Sequence, residues 1–373
     1  MNEKKLTDTE IDLSSEYPLI TVEELCYAHS DQNGPQGKAK FKTEPADFIV
    51  RETLSFEPEG EGTHAYLYIE KTNTNTEWLA RQLARFVGVE AKEIGYAGLK
   101  DRNGVTSQWF SINLEIIDVP PIWDDFQLDG VKILINTLHR KKLKRGAIKH
   151  NSFEITLRDI ENTSAEALKN KIALIQSTGV PNYFAQQRFG HGYGNLLRGA
   201  KWFKGIHKVK KRADKSMIIS AARSMLFNQM LSQRMLKFGW NTLIDGEIMM
   251  LAGTHSIFSA SVVDDEIRSR FVQGDIHPTI ALWGRGRLNS EKEVLSMEQK
   301  VADSLSNWCD GLEHQGLKQE RRAARLFPDN ITITFNDNKS DSLSEESIEK
   351  AVLSFSLPTG TYATAVLREI IQF

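Results

Sequence analysis

The chain has 373 residues, of which 40% are hydrophobic and 26% are charged. This composition excludes a disordered chain and a fibre, and at roughly 100–200 residues per domain the length favours two domains. The formal net charge of -2 gives no overall sign of a polyanionic partner, but residues 139–215 carry +13 and the remainder about -15. We therefore expect this basic segment to bind nucleic-acid phosphates.

The sequence predicts a protein of the cytoplasm that does not enter a membrane. No stretch reaches the roughly 18 consecutive apolar residues that a membrane span needs. The first twenty residues, MNEKKLTDTEIDLSSEYPLI, have neither the apolar core nor the cleavage site of a signal peptide. Cys26 and Cys309 join no CxxC or Cys/His cluster, so neither a disulfide framework nor a structural zinc site is predicted.

The N-terminal half of the chain shows mainly strand patterns. Residues 1–35 are acidic and rich in turn residues, and we expect them to form a loosely attached arm. Residues 41–70 alternate between apolar and polar positions around a turn at 58–62, which predicts two antiparallel strands. The capping-box pattern Thr74-x-x-Glu77 and the stop residue Gly88 predict a helix between them.

The rest of the chain combines helix and strand patterns. Residues 108–112 and 153–157 alternate as strands do, and a capped helix is predicted from Thr163-x-x-Glu166 to Gly179. The signal is then mainly helical to about Pro328, notably at 220–238 and 290–312, and strand character returns at 352–357. This order predicts a mixed α/β (α+β) domain that is interrupted by an insertion.

Several well-known sites are missing from the sequence. It contains no GxxxxGK[ST] phosphate loop, and the glycines of residues 190–194 do not have dinucleotide-binding spacing. It also lacks HExxH and GxSxG, the central motifs of zinc proteases and serine hydrolases. No nucleotide cofactor, other cofactor or metal is therefore expected.

Asp101 is the strongest candidate for a chemically active residue. It follows two glycines in Gly95-Tyr-Ala-Gly-Leu-Lys-Asp-Arg-Asn-Gly104, and its neighbours Lys100 and Arg102 are both positive. Nearby cations favour an ionised carboxylate, which suits a nucleophile or a base. The pattern alone favours an aspartate that caps its own backbone in the turn before Asn103-Gly104.

The segment IGYAGLKDRNGVTSQWFSI resembles the signature of the TruD family of tRNA pseudouridine synthases. Four further blocks resemble the family's other motifs, in the family's order: Lys42-Thr-Glu-Pro-Ala-Asp-Phe48, Arg145-Gly-Ala-x-x-x-Asn151-x-Phe153, Pro181-Asn-Tyr-Phe-x-x-Gln-Arg-Phe-Gly190, and Leu357-Pro-x-Gly-x-Tyr-Ala-Thr364. Together they span about residues 41–371, so the resemblance covers nearly the whole chain beyond the arm.

The resemblance implies a fold and a domain division. It implies the pseudouridine-synthase core, a mixed and largely antiparallel sheet with flanking helices, interrupted by a family-specific insertion. We expect an acidic N-terminal arm at 1–35, the catalytic domain at 36–176 and 329–373, and the inserted TRUD domain at 177–328.

The resemblance also implies an activity and its residues. The activity is isomerisation of uridine to pseudouridine in tRNA, typically at position 13, without cofactor or metal. Asp101 matches the catalytic aspartate and Lys42 its basic partner. Positions that surround the target nucleotide match Phe48, Asn151, Phe153 and Phe355. From its charge, the run Arg140, Lys141, Lys142, Lys144 and Arg145 is expected to contact the RNA backbone.

Two other functions remain open from the sequence. The chain could be an RNA-binding or tRNA-folding protein that has this fold but no isomerase activity. It could also be a carboxylate-dependent glycoside hydrolase or nuclease, which needs a second catalytic carboxylate or a metal cluster. Glu52 and Glu70 are conceivable second carboxylates, although no spacing singles them out.

Overall fold

A computed structural model of the chain describes residues 12–31, 33–335 and 348–373. It divides into two compact units. The large-sheet unit comprises the described residues of Asn33–Gly179 and Phe327–Phe373. The helical unit comprises the described residues of Met1–Gln32 and Val180–Leu326.

Strands predominate in the large-sheet unit, and α-helices predominate in the helical unit. The strands are β1 (Lys38–Phe41), β2 (Phe48–Leu54), β3 (His64–Thr72), β4 (Gly95–Tyr96), β5 (Val105–Asn113), β6 (Val131–His139), β7 (Ile148–Glu161), β8 (Val180–Pro181), β9 (Glu247–Leu251), β10 (Ile257–Ala260), β11 (Ile276–Leu282), β12 (Glu320–Ala323), β13 (Arg325–Leu326), β14 (Asp329–Phe335) and β15 (Ile348–Pro358). The α-helices are α1 (Thr76–Val87), α2 (Ala165–Thr178), α3 (Gly194–Phe203), α4 (Arg212–Phe238), α5 (Asp265–Val272), α6 (Lys292–Ser304), α7 (Ser306–His314) and α8 (Ala363–Ile370).

The described part of the large-sheet unit contains a nine-stranded sheet. Its main order is β14-β15-β7-β2-β5-β3-β6, with β1 beside β7 and β4 beside β5. Neighbouring strands are antiparallel except β2 and β5, which are parallel. The expected mixed, largely antiparallel sheet with helices is confirmed. β2 and β3 are the two strands expected from residues 41–70, but they do not pair with each other because β5 lies between them.

Helix α1 covers the β3–β5 part of this sheet. Its residues Leu79 and Leu83 are fully buried in one cluster with Leu67, Ile69 and Phe110 of the strands. The predicted start of the helix is wrong by one residue, since Asn75 is the cap and its side chain accepts from the next turn's backbone N–H groups. The predicted end is confirmed, because Gly88 adopts a left-handed φ of 75° that suits glycine.

The start of helix α2 is also predicted one residue too early, and its predicted end is confirmed. Ser164, and not Thr163, caps it by accepting from the N–H of Ala167 (3.1 Å), and Gly179 ends it at a φ of 72°. Leu168, Ile172 and Ile175 form its buried face, as their spacing predicts.

The helical unit is built around α4, whose central residues Met225, Leu226 and Phe227 are fully buried. It also contains strands, which the mainly helical interpretation of residues 179–328 missed: a sheet of order β10-β9-β11-β12 and the pair β13–β8. Short apolar runs such as Ile248–Leu251 fit a strand and a buried helix equally well by periodicity alone.

Residues 12–31 differ from the loose attachment expected for the N-terminal arm. Within the helical unit, Tyr17 and Leu25 are buried, and Tyr17 packs edge-on against Trp308 at 5.1 Å. The backbone N–H of Cys26 donates to the hydroxyl of Ser232 (3.0 Å). The apolar residues spaced through this acidic segment explain why it packs; residues 1–11 lie outside the described residues. Within the described ranges, no helix has the length and apolar character needed to cross a membrane.

Candidate active site around Asp101

Asp101 lies in the loop between β4 and β5, and buried polar groups hold this loop. The side chain of Gln108 on β5 donates to the carbonyl oxygen of Gly98 (3.1 Å). The Thr76 hydroxyl donates to Gln108 (2.8 Å), and its oxygen accepts from the backbone N–H of Lys100 (3.1 Å). Because buried polar groups are costly to leave unpaired, this network fixes the backbone immediately before Asp101.

The Lys100 side chain adds a buried ion pair to the same loop. Its ammonium group binds one carboxylate oxygen of Glu52 on β2, and the other oxygen accepts from the backbone N–H of Trp109 (3.2 Å). The Glu52 side chain is 0% exposed. Removing one partner of a buried ion pair costs about 3–5 kcal/mol, so the pair is a structural clamp. Glu52 is therefore closed off from the role of a second catalytic carboxylate.

Lys71 on β3 holds the main chain of Asp101 itself. Its ammonium group donates to the carbonyl oxygens of Thr74 (2.6 Å) and Asp101 (3.3 Å), and the residue is 1% exposed. Burial, together with the positive charge of Lys100, lowers the pKa of Lys71 to about 8. A lysine with two backbone acceptors at this depth fixes the position of the loop that carries Asp101.

Lys42 faces the Asp101 side chain. Its Nζ lies 3.5 Å from Oδ2 of Asp101 and 3.8 Å from the ring centre of Phe48. The side chains of Lys42 and Asp101 are 27% and 39% exposed, so the pair is open to a molecule from outside. Lys42 has a φ of 57°, a left-handed conformation that costs a side-chain-bearing residue about 1–2 kcal/mol. Glycine would avoid that cost, which indicates that the lysine side chain is needed there.

The turn after Lys42 is fixed by a second buried carboxylate. Asp47 accepts two hydrogen bonds from Nε of Arg158 (2.9 and 3.0 Å) and one from the backbone N–H of Glu44 (2.9 Å). Desolvation raises the pKa of Asp47, but these hydrogen bonds outweigh it, so the pKa lies below its ordinary value. This turn leads directly into Phe48 and so sets the position of Lys42 relative to β2.

The three predicted phenylalanines form a continuous row across the sheet. Phe153 on β7 stacks on its register partner Phe355 of β15 at 5.4 Å, and it contacts Phe48 of β2 at 6.2 Å. Phe48 and Phe355 are each 3% exposed, whereas Phe153 is partly exposed. The structure thus brings together the predicted residues Asp101, Lys42, Phe48, Phe153 and Phe355, with Phe153 as the most accessible ring.

Asn151 lies two residues before Phe153, on the same face of β7. Its register partners are Glu52 on β2 and Leu357 on β15. Its side-chain carbonyl oxygen is buried without a hydrogen-bond partner among the described residues. Such an atom costs about 1–3 kcal/mol when it stays unpaired, so it is available for a donor from a bound molecule.

The residues expected to contact the RNA backbone follow β6. They differ in whether their charges already have partners. Arg140 pairs with Glu59 and Glu61, and Lys142 binds the carbonyl oxygen of Lys92 and the carboxylate of Glu93. The Arg145 guanidinium lies 4.0 Å from the ring centre of Tyr96. Lys141 and Lys144 are exposed and have no ion-pair partner among the described residues.

In the described part of the chain, no three His, Cys, Asp or Glu side chains are grouped so that they could hold a metal ion. The Lys42 ammonium lies beside the Asp101 carboxylate, and its contact with Phe48 connects this pair to the aromatic row.

The family model for tRNA pseudouridine synthase D (TruD) matches residues 22–197 and 194–370. The chain belongs to the TruD family. Curated TruD relatives include the tRNA pseudouridine synthase D of Nitrosococcus oceani, 40% identical over 91% of this chain and 92% of that protein. The corresponding protein of Colwellia psychrerythraea is 40% identical over 94% of this chain and 93% of that protein. The TruD family is thus a family of isomerases, as the resemblance of the sequence motifs implied.

A solved structure shows the same fold at lower identity. The crystal structure of a candidate TruD from Methanosarcina mazei superposes with a TM-score of 0.70 at 22% identity. The match covers 94% of this chain and 96% of the other. The fold of this TruD family member is therefore shared over nearly its whole length.

Sequence reasoning missed two groups that position Asp101. One is Lys71, and the other is the pairing of Lys100 with Glu52. A signal for Lys71 exists, because it continues the inward-facing set of Leu67 and Ile69 on β3, where a charged side chain requires partners. No sequence pattern identifies Asp101 as a partner of Lys71, or Glu52 as the partner of Lys100, since each pair joins distant segments of the chain.

Proposed function

We propose that this TruD family member converts uridine to pseudouridine in tRNA, at position 13, with Asp101 as the catalytic residue and without a cofactor. The observation that carries the proposal is the partly exposed Lys42–Asp101 pair, at 3.5 Å, within a chain that matches the family over nearly its full length. Curated relatives with the name tRNA pseudouridine synthase D support the substrate and the reaction.

The proposed reaction needs an ionised carboxylate beside the target nucleotide. The bond between N1 and the ribose C1′ breaks, the uracil turns, and a bond from C5 to C1′ forms; the C5 proton leaves and N1 gains a proton. Asp101 acts as the nucleophile or as the base that removes a proton from the sugar. The Lys42 ammonium offsets the carboxylate's charge and orients it toward the nucleotide.

The remaining predicted residues would hold the nucleotide outside its stack. A flipped base needs an aromatic surface and hydrogen-bond partners for its edge. Phe153 would supply the accessible ring, while the buried Phe48 and Phe355 support it from the two neighbouring strands. The unpaired carbonyl oxygen of Asn151 would accept a hydrogen bond from a uracil N–H.

The two other functions have less support. A glycoside hydrolase needs two available carboxylates, and the Glu52 carboxylate is already bound by Lys100 and Trp109. A binding protein without isomerase activity does not need Lys42 in a strained conformation beside a partly exposed aspartate.

The test is Asp101→Asn, compared with Asp118→Asn at an exposed position of the same unit. We expect Asp101→Asn to lower the single-turnover rate of pseudouridine formation by roughly 10³-fold or more, because the carboxylate takes part in bond making. The tRNA dissociation constant should change by no more than about twofold, since the loop clamps remain.

Chemical mapping of pseudouridine in a tRNA transcript measures both the rate and the position. Product at position 13 from the wild-type protein and from Asp118→Asn, but not from Asp101→Asn, supports the proposal. A normal rate from Asp101→Asn overturns the role of Asp101, and product at another position overturns the site.

A further inference from the structure

The helical unit carries a basic cleft within the basic segment 139–215 and outside the run of residues 140–145. Its volume is about 450 Å³. It is formed by the last turns of α3, the loop that follows and the first turn of α4. The lining residues are Arg198, Lys201, His207, Lys208, Val209, Lys210, Lys211 and Asp214.

The charge of this cleft is not balanced within the described structure. Five lining residues are cationic at neutral pH and one is acidic. That acid, Asp214, pairs with Arg198 at 3.3 Å. The four lysines of the lining have no carboxylate within ion-pair distance among the described residues, whereas the adjacent Lys204 is paired with Glu16. Four ammonium groups therefore share one concave surface without a counter-charge.

Such an arrangement is unfavourable in the free protein and favourable once an anion binds. Like charges repel, and the walls of a cleft focus their field on an incoming ion. Lys208, Lys210 and Lys211 are exposed on a loop, so their side chains can follow an extended ligand. Arg198 is also exposed, and Lys201 and Val209 are partly exposed, so the cleft is open to a polymer.

The lining also indicates which anion fits. Apart from the His207 imidazole it contains no aromatic ring that could stack on a base, and Val209 is its only apolar residue. Lysine binds phosphate as a flexible point charge, without the planar geometry that reads a base edge. Several phosphates along a sugar–phosphate chain match this surface better than one compact ion.

We propose that the cleft of Lys201, Lys208, Lys210 and Lys211 binds the phosphate backbone of the substrate RNA. The proposal rests on the proposed function, which makes RNA the substrate. It gives the helical unit its own sequence-independent contact with that RNA. Binding at this cleft contributes affinity and not base recognition.

The test compares two variants of the helical unit that remove the same charge. Lys208→Gln/Lys210→Gln changes the cleft, and Lys300→Gln/Lys318→Gln changes exposed lysines elsewhere in the unit. Binding of a fluorescent tRNA transcript is measured by anisotropy over a range of salt concentrations. We expect the cleft variant to bind about tenfold more weakly at low salt. The slope of log affinity against log salt should fall by about one for each lysine removed.

The control variant should bind nearly as the wild-type protein does. Equal affinities and equal salt slopes for the two variants would overturn the proposal. Inorganic phosphate, added at constant ionic strength, tests the anion chemistry of the cleft. A loss of wild-type tRNA affinity that the cleft variant does not show means that phosphate competes with the RNA backbone there and supports the proposal. An equal loss of affinity in both proteins would overturn it.

Pseudouridine formation by the wild-type protein, measured on the same transcript, separates this inference from the proposed function. If product forms but the cleft variant and the control variant have the same salt slope, the cleft proposal is overturned and the proposed isomerase activity is retained. No product, together with a clear slope difference, overturns the isomerase and retains the cleft as an RNA-binding site.

Discussion

Two basic stretches of similar sequence differ in what their charges contact. In residues 140–145 of the large-sheet unit, Arg140 and Lys142 pair with glutamates and Arg145 lies against Tyr96. In residues 208–211 of the helical unit, the lysines have no carboxylate partner among the described residues. Part of the charge of the first stretch is thus balanced within its own unit, whereas the lysines of the second stretch are left without a counter-charge.

The number of basic residues in a stretch therefore does not by itself locate a phosphate-binding surface. Cations with partners in their own unit fix a geometry, as Lys42, Lys71 and Lys100 do around Asp101. Cations without partners can bind a ligand at no cost in broken contacts. Substitutions of the first kind should change chemistry or folding, and substitutions of the second kind should change affinity and its salt dependence.

The largest effect expected among the cations is at Lys42. Lys42→Met should lower the single-turnover rate of pseudouridine formation by about 10²-fold, because the Asp101 carboxylate loses the charge that orients it. The control is Lys40→Met, two residues earlier, where the lysine pairs with Asp159 at 2.7 Å and is 68% exposed. If Lys42→Met reacted as fast as Lys40→Met, the ion pair with Asp101 would have no role in the chemistry.

A smaller kinetic effect is expected at Lys71. Lys71→Met removes the donor to the Asp101 carbonyl and should lower the single-turnover rate by about tenfold, through misplacement of the loop. Rapid-quench measurements at saturating tRNA test this. A change in tRNA affinity without a change in this rate would show that Lys71 does not position Asp101.

Lys71→Met should also remove a pH dependence of the free energy of unfolding that the wild-type protein has. Lys71 is charged in both states below its folded pKa of about 8, so its burial penalty is then fully present. Between about 8 and the ordinary value of 10.5, the unfolded chain binds the proton and the folded chain does not. The free energy of unfolding should therefore gain a contribution that rises with pH across this window. Urea unfolding at several pH values should show this contribution in the wild-type protein and not in Lys71→Met.

The smallest effect is expected within residues 140–145. Lys141→Gln/Lys144→Gln removes exposed lysines without carboxylate partners and should weaken tRNA binding about threefold. Arg140→Gln/Lys142→Gln removes charges that are already paired and should weaken it less than twofold. Anisotropy titrations at one salt concentration compare the two. The reverse order would remove the distinction between paired and unpaired cations.

Local patterns predicted the parts of the fold that depend on local chemistry. The glycines at 88 and 179 end α1 and α2 because their left-handed φ is a local requirement. The caps were placed one residue early, since Thr74 and Thr163 are followed by Asn75 and Ser164, which cap equally well in sequence. Strand order was not predictable, because β5 enters between β2 and β3 through pairings distant in sequence.

The candidate site likewise has residues that the sequence predicted and contacts that it could not predict. Asp101, Lys42 and the aromatic residues were identified through motifs, and the structure brings five of these residues into contact. The Lys71 and Glu52–Lys100 contacts join segments that are far apart in the chain, so no spacing rule predicts them. The paired and unpaired states of the basic residues likewise depend on folding.

The pairing of β15 with β7 has a consequence for synthesis on the ribosome. Phe355 stands opposite Phe153, and the whole helical segment from Val180 to Leu326 is translated between these two strands. A nascent chain that has emerged only as far as the helical unit thus lacks Phe355, one of the three rings of its aromatic row. The large sheet can be completed only after the helical segment has been translated, when β15 leaves the exit tunnel.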